Sequence, residues 1–81
     1  MTMTERMQRL TALRQERAAK WDTARTFLDS KTHNGRMSEA DAAAYETMEK
    51  ELTDLGNDIA RLERANEMET AMNAAGDPIL G

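Results

Sequence analysis

Near the middle of the chain, helical periodicity is interrupted by the segment Lys31-Thr32-His33-Asn34-Gly35-Arg36 and resumes after it. Asn34 and Gly35 both tolerate positive φ, so this pair is the tightest point of the segment. An Asn-Gly pair is typical of β-hairpins, but here its flanks have helical and not alternating periodicity. We therefore predict the turn of an αα-hairpin at residues 31–37.

Before the turn, apolar residues recur at alternating spacings of four and three, which is the pattern of a coiled-coil seam. Charged residues interrupt this seam at Arg14 and Arg17. Thr2 and Glu5 have the spacing of a capping box, which satisfies the first free amides of a helix. We predict a first helix over residues 3–30. Its predicted seam residues are Leu10, Trp21, Ala24 and Leu28, with Trp21 as a core anchor.

After the turn, six consecutive seam positions are apolar, and they form the strongest pattern in the chain. Ser38, followed by Asp41, predicts the helix cap. The seam residues are Tyr45, Met48, Leu52, Leu55, Ile59 and Leu62. Beyond them the apolar stripe drifts around the helix, so we expect something other than the first helix to cover it. The candidate partner surface consists of Ala65, Met68 and Met72.

The predicted second helix covers residues 38–75, because Gly76 and Asp77-Pro78 have the character of a helix stop. We expect residues 76–81 to form a flexible tail or a linker to an absent downstream domain. The fold class is therefore all-α: a two-helix antiparallel coiled-coil hairpin over residues 1–75 with a longer second helix. In this hairpin, facing residues have numbers that sum to about 72 or 73, so Trp21 faces Leu52, and the second helix overhangs the first.

Charge is distributed unevenly along the chain. Residues 1–36 carry eight basic and four acidic groups, for a net charge of +4, whereas residues 37–81 carry three basic and eleven acidic groups, for −8. The two halves should attract each other. The guanidinium groups of Arg14 and Arg17 are expected to reach Asp54, Asp58 or Glu63. The basic face of the first helix (Arg6, Arg9, Arg17 and Lys20) could instead contact phosphate, but pairing with the acidic helix is favoured, so we expect no nucleic-acid partner.

The composition excludes several classes of function. Eighty-one residues, of which 40% are hydrophobic, are too few for a deep catalytic interior, and cysteine is absent. His33 lies alone in the turn, and the Glu-x-x-His pattern of helical metal sites is missing. We therefore expect no enzyme activity, no catalytic, cofactor-binding or metal site, and no cofactor. No apolar run is long enough to span a bilayer and no signal peptide is apparent, so we expect no membrane partner and a cytoplasmic start.

A two-helix hairpin covers only one side of each helix, so we expect it to associate with itself. Alanines outside the seam would allow a second hairpin to approach closely. The alternative is a stand-alone coiled-coil adaptor or regulatory protein that binds the helix of another protein along residues 65–72.

A longer pattern spans roughly residues 10–64, and its most discriminating part is a Gly-Arg pair leading into an acidic, serine-capped helix. It comprises Leu13-Arg14-Gln15-Glu16-Arg17-Ala18-Ala19, Ala24-Arg25, Phe27-Leu28-Asp29, Gly35-Arg36-Met37-Ser38-Glu39-Ala40-Asp41, Tyr45, Met48-Glu49, Glu51-Leu52, Leu55, Ile59 and Arg61-Leu62-Glu63-Arg64. This pattern resembles the N-terminal region of tailed-bacteriophage major capsid proteins of the Hong Kong 97 type.

The resemblance implies a function. In that family, a helical segment before the shell-forming fold scaffolds procapsid assembly through coiled-coil contacts, and in many members a maturation protease removes it. The implied partners are further copies of the chain, capsid shell subunits and the phage maturation protease. The implied location is the host bacterial cytoplasm and the interior of the procapsid, with loss from the mature virion on cleavage. A processing site would lie in or soon after residues 73–81.

Overall fold

The computed structural model describes the backbone of residues 1–80 and the side chains of residues 1–74. Two helices account for almost all of this part of the chain: α1, Met3–Lys31, and α2, Glu39–Leu80. Residues 1–80 contain no β-strand, and the two helices pack against each other. The predicted all-α hairpin with a longer second helix is therefore confirmed.

The first helix begins at a capping box, as predicted. The Thr2 hydroxyl accepts a hydrogen bond from the Glu5 amide at 3.1 Å, and the Glu5 carboxylate accepts one from the Thr2 amide at 2.7 Å. These two bonds satisfy amides that have no partner within the helix. At the other end, α1 runs one residue beyond the predicted Ser30, and the Thr32 amide donates to the Leu28 carbonyl at 3.0 Å.

The turn uses the conformational freedom of Asn34 and Gly35. Their φ angles are 54° and 75°, the positive values that a type I′ turn requires at both central positions. On either side, His33 and Arg36 exchange two backbone hydrogen bonds of 2.7 and 3.0 Å. A single antiparallel β-bridge between His33 and Arg36 therefore closes the turn that joins the two helices.

The second helix begins as predicted and ends later than predicted. The Ser38 hydroxyl accepts a hydrogen bond from the Asp41 amide at 3.1 Å, so Ser38 caps a helix that begins at Glu39. The helix then runs to Leu80, which corrects the predicted end at residue 75 and places most of the expected tail within α2. Within a helix, glycine costs about 1 kcal/mol and proline about 3 kcal/mol relative to alanine, so both disfavour a helix without forbidding it. Gly81 lies outside the described residues.

Contacts between the helices confirm the antiparallel register. Arg6 Nε donates to Asn66 Oδ1 at 2.6 Å, and Lys20 lies 3.8 Å from Glu51, so these paired numbers sum to 72 and 71. The long side chains of Arg6 and Arg14 also reach Glu69 and Glu63, further along α2, at sums of 75 and 77. The start of α1 lies beside residues 66–69. The prediction that α2 overhangs α1 from residue 65 is therefore wrong for residues 65–69, which lie beside α1. Only the final turns of α2 extend beyond the start of α1.

The buried core is small and one-sided. Leu10, Ala24, Leu55 and Ile59 are buried at the helix contact. Other predicted seam residues are half-buried, namely Leu28, Tyr45, Met48, Leu52 and Leu62. Trp21 is 46% exposed, so its prediction as a core anchor is wrong. Two helices cover each other along one line, and a bulky indole at the edge of that line keeps one side in solvent.

Candidate interaction surface

A groove runs between the helices near the middle of the rod-shaped molecule, which measures 65 × 17 × 17 Å. Its volume is about 610 Å³. Trp21 and Ala18 line it from α1, and Leu52, Gly56 and Ile59 line it from α2. The predicted facing pair Trp21 and Leu52 thus meets at this groove, which is open to solvent beside the exposed indole.

Gly56 lines the groove and was not recognised in the sequence. An ideal Cβ built on Gly56 would lie 3.2 Å from Arg17 Nη2 and 3.3 Å from Arg17 Cζ. The Arg17 guanidinium therefore lies over the backbone of α2, where any larger residue would crowd it. A glycine inside a helix costs about 1 kcal/mol relative to alanine, so its presence in an uninterrupted helical pattern was the available signal.

A second hollow of about 410 Å³ lies on the same side of the molecule, toward the open end of the hairpin. Met7, Thr11 and Glu67 are among its lining residues. Arg14 and Glu63 line both concavities and join them through an ion pair of 2.6 Å. We call this continuous surface, defined by Met7, Arg14, Ala18, Trp21, Gly56 and Glu63, the groove face.

Ion pairs between the helices follow the predicted charge division. Three pairs join α1 to α2 within the described residues: Arg6–Glu69, Arg14–Glu63 and Lys20–Glu51, each with its basic member on α1. Arg14 reaches one of the predicted acidic partners, Glu63. The prediction for Arg17 is wrong, because Asp54 pairs with Lys50, Asp58 pairs with Arg61, and Arg17 lies over Gly56.

Arg6 is the most enclosed of these charged groups. Its side chain is 13% exposed, and it donates to Asn66, Glu69 and the Met1 carbonyl. Hydrogen bonds between charged groups that are shielded from water are stronger than exposed ion pairs, which contribute about 0–1 kcal/mol each. Arg6 therefore holds the two helices together at the open end of the hairpin. Pairing of its basic face with the acidic helix was predicted, but its individual partners were not.

The predicted partner surface is exposed in part. Met68 and Met72 are 58% and 62% exposed, whereas Ala65 is half-buried. No described residue covers the two methionines, and binding of a partner there stays a prediction. Met1 and Met7, 69% and 57% exposed, add further apolar surface toward the same end.

The Glu5 carboxylate at the start of α1 has a perturbed pKa. Hydrogen bonds from the backbone and hydroxyl of Thr2 lower the pKa of Glu5 below its usual value. Among the described residues, no group of three or more His, Cys, Asp or Glu side chains is placed to hold a metal ion. None of the described helices has a stretch long and apolar enough to cross a bilayer.

Comparisons with protein-family models, with curated proteins and with solved structures gave no match.

Proposed function

We propose that the hairpin is a scaffolding segment of a bacteriophage major capsid protein, which guides procapsid assembly through contacts between hairpins and with shell subunits. In this role it acts in the host bacterial cytoplasm and inside the procapsid, and a maturation protease removes it afterwards. The proposal draws on the resemblance to Hong Kong 97-type capsid proteins over roughly residues 10–64.

The observation that carries the proposal is the one-sided core. Among the described side chains, only Leu10, Ala24, Leu55 and Ile59 are buried in a molecule 65 Å long, while Trp21 and Met7 remain exposed on one side. A surface of this kind favours association with other proteins. Contacts between single hairpins can be weak, because many linked copies raise the effective affinity while each contact remains reversible. Reversible contacts are what a temporary scaffold requires.

The second candidate function is an adaptor that binds the helix of another protein. It is favoured by the exposure of Met68 and Met72 at one end of α2, since methionine side chains adapt to different partners. An adaptor would retain a different protein in a pull-down from its native cell, whereas a scaffold would mainly retain itself or its shell.

The test of the first proposal uses the longer capsid chain that the proposal requires. Residues 2–64 are deleted in one version and replaced in another by an unrelated antiparallel helical hairpin of equal length. We expect the intact chain to form closed shells, and both altered chains to give aberrant or few shells, as seen by electron microscopy. Closed shells of normal size and yield from the deleted chain would contradict the proposal.

A further inference from the structure

We propose that two copies of the hairpin pair in parallel through the groove face, with Trp21 of each copy beside Gly56 of the second copy. This inference rests on the part of the proposed function in which the hairpin binds itself. The two-fold axis runs along the length of the rods, so that α1 of one copy lies on α2 of the other.

The charges on the groove face select this arrangement. Arg14 and Arg17 line the groove face from α1, and Glu63 and Glu67 line it from α2. By helical spacing, Arg25, which pairs with Asp22, continues the row on α1, and Glu49 continues the row on α2. In a parallel pair, Arg14 approaches Glu63 of the second copy, and Arg25 lies level with Glu49 of the second copy. An antiparallel pair through the same face would set α1 against α1 and bring like charges together.

The Arg14–Glu63 ion pair, at the centre of the groove face, is compatible with a two-fold symmetric dimer. Each copy already joins Arg14 to Glu63 at 2.6 Å. Across a parallel two-fold axis, the two Arg14–Glu63 pairs form a square of alternating charge, so that each of these four groups has an opposite charge on either side. This matters because a buried charge without a partner is strongly destabilising.

The shapes are also complementary. Ala18 is exposed and lies almost level with Gly56 in the observed register, so the two smallest residues of the face oppose each other across the axis. Ala18 leaves space beside α1, and the space over Gly56 holds only the end of the Arg17 side chain of the same copy. The Trp21 indole, 46% exposed, then lies over the groove of the second copy between Leu52 and Ile59. Burial of an indole in this way is typical of residues that dominate an interface.

A parallel two-fold axis sets the whole groove face of one copy against that of the second, from Met7 to Trp21 on α1 and from Leu52 to Glu67 on α2. A second hairpin would also cover the apolar side that α1 and α2 leave open. The occupant of the groove is therefore another copy of this chain.

The affinity test compares Ala18→Glu with Ala19→Glu in the 81-residue chain by analytical ultracentrifugation. Both alanines are exposed, but adjacent helical positions differ by about 100°, so Ala19 points away from the groove face. We expect the wild-type chain to form a dimer. Its Kd should rise at least tenfold in Ala18→Glu and change less than twofold in Ala19→Glu. Both variants should retain wild-type helicity by circular dichroism. Trp21→Ala should weaken the dimer at least tenfold, in line with its central position.

The orientation test mixes two single-cysteine variants, Arg25→Cys and Glu49→Cys, under mild oxidation. A disulfide requires its Cβ atoms to approach within about 4.5 Å, so the parallel pair predicts a covalent dimer in the mixture and little in either variant alone. A mixture of Glu16→Cys with Glu49→Cys is the control, because Glu16 lies on another side of α1 and should give no covalent dimer.

Three outcomes would overturn the inference: a chain that stays monomeric at every concentration, equal effects of Ala18→Glu and Ala19→Glu, or no covalent dimer in the Arg25→Cys and Glu49→Cys mixture. The proposed function can be contradicted independently of the dimer. If the dimer forms as described and shells still assemble normally without the hairpin, the scaffolding proposal is wrong and the dimer stands. If shells need the hairpin but tolerate Ala18→Glu, the scaffold uses a different surface and the inference is overturned.

Discussion

Gly35 and Gly56 have different structural roles in this molecule. Gly35 has φ 75° in the turn, where nothing lies within 4 Å of an added Cβ, so backbone conformation alone requires glycine there. Gly56 has no such conformational requirement. Its absent Cβ makes room for the end of the Arg17 side chain, which is long and flexible and can move by a few tenths of an ångström.

This difference predicts opposite effects for one substitution. Gly56→Ala should stabilise the hairpin by about 0.5–1 kcal/mol, because alanine is the better helix former and Arg17 can yield. Gly35→Ala should destabilise it by about 1–2 kcal/mol, because a residue with a Cβ is strained at positive φ. Urea unfolding in dilute solution, monitored by circular dichroism, measures both. A loss of stability in Gly56→Ala would show that Arg17 is held firmly in its place over α2.

At the scale of the helix, most of the first element could be predicted from the sequence. The capping box is a local pattern, so the start of α1 is as expected. Of the seam positions, Leu10 and Ala24 are buried, but the heptad spacing missed the half-buried Leu13. The exposure of Trp21 was not predictable from spacing, because a heptad position says which line a residue occupies and not how much of a large side chain fits beneath its neighbours. The end of α2 was not predictable from Gly76 and Pro78, because the helix continues through both residues to Leu80.

The Glu5 carboxylate should make the stability of α1 depend on pH. Its pKa is lowered in the folded chain by the hydrogen bonds from Thr2, so its contribution is fully present above the usual glutamate pKa and is lost as the pH falls through the lowered value. Wild type should therefore be more stable than Glu5→Gln at neutral pH, and the two should converge in acid. Glu16→Gln, an exposed change in mid-helix, is the control. A gap between wild type and Glu5→Gln that persists below the lowered pKa would contradict this role.

At the scale of the whole molecule, the helices are joined by charge as well as by the small core. The division of charge along the sequence predicted this attraction, but the register of long side chains decides which pairs form, so Arg6–Glu69 and the position of Arg17 required the structure. The groove face likewise depends on Gly56 and Trp21 lying at the same edge of the helix contact. Neither residue predicts an interaction surface from its position in the sequence alone.

Salt should weaken this attraction between the helices. The pairs Arg14–Glu63 and Lys20–Glu51 have side chains at least 40% exposed, so ions screen them, and each should contribute less than about 1 kcal/mol. We expect the urea midpoint of the dilute chain to fall as sodium chloride is raised. Arg14→Glu should lower the low-salt midpoint, and the exchange of both charges in Arg14→Glu with Glu63→Arg should restore it. A low-salt midpoint that the exchange does not restore would show that Arg14 acts through packing and not through charge.

The single reversal at Asn34 and Gly35 gives the rod two unlike poles. The loop occupies one pole, and both the beginning of α1 and the far end of α2 emerge at the other. A hairpin with this geometry can be grafted into a surface loop of an unrelated carrier protein, where it would project as a spike without separating the flanking segments by the length of the rod.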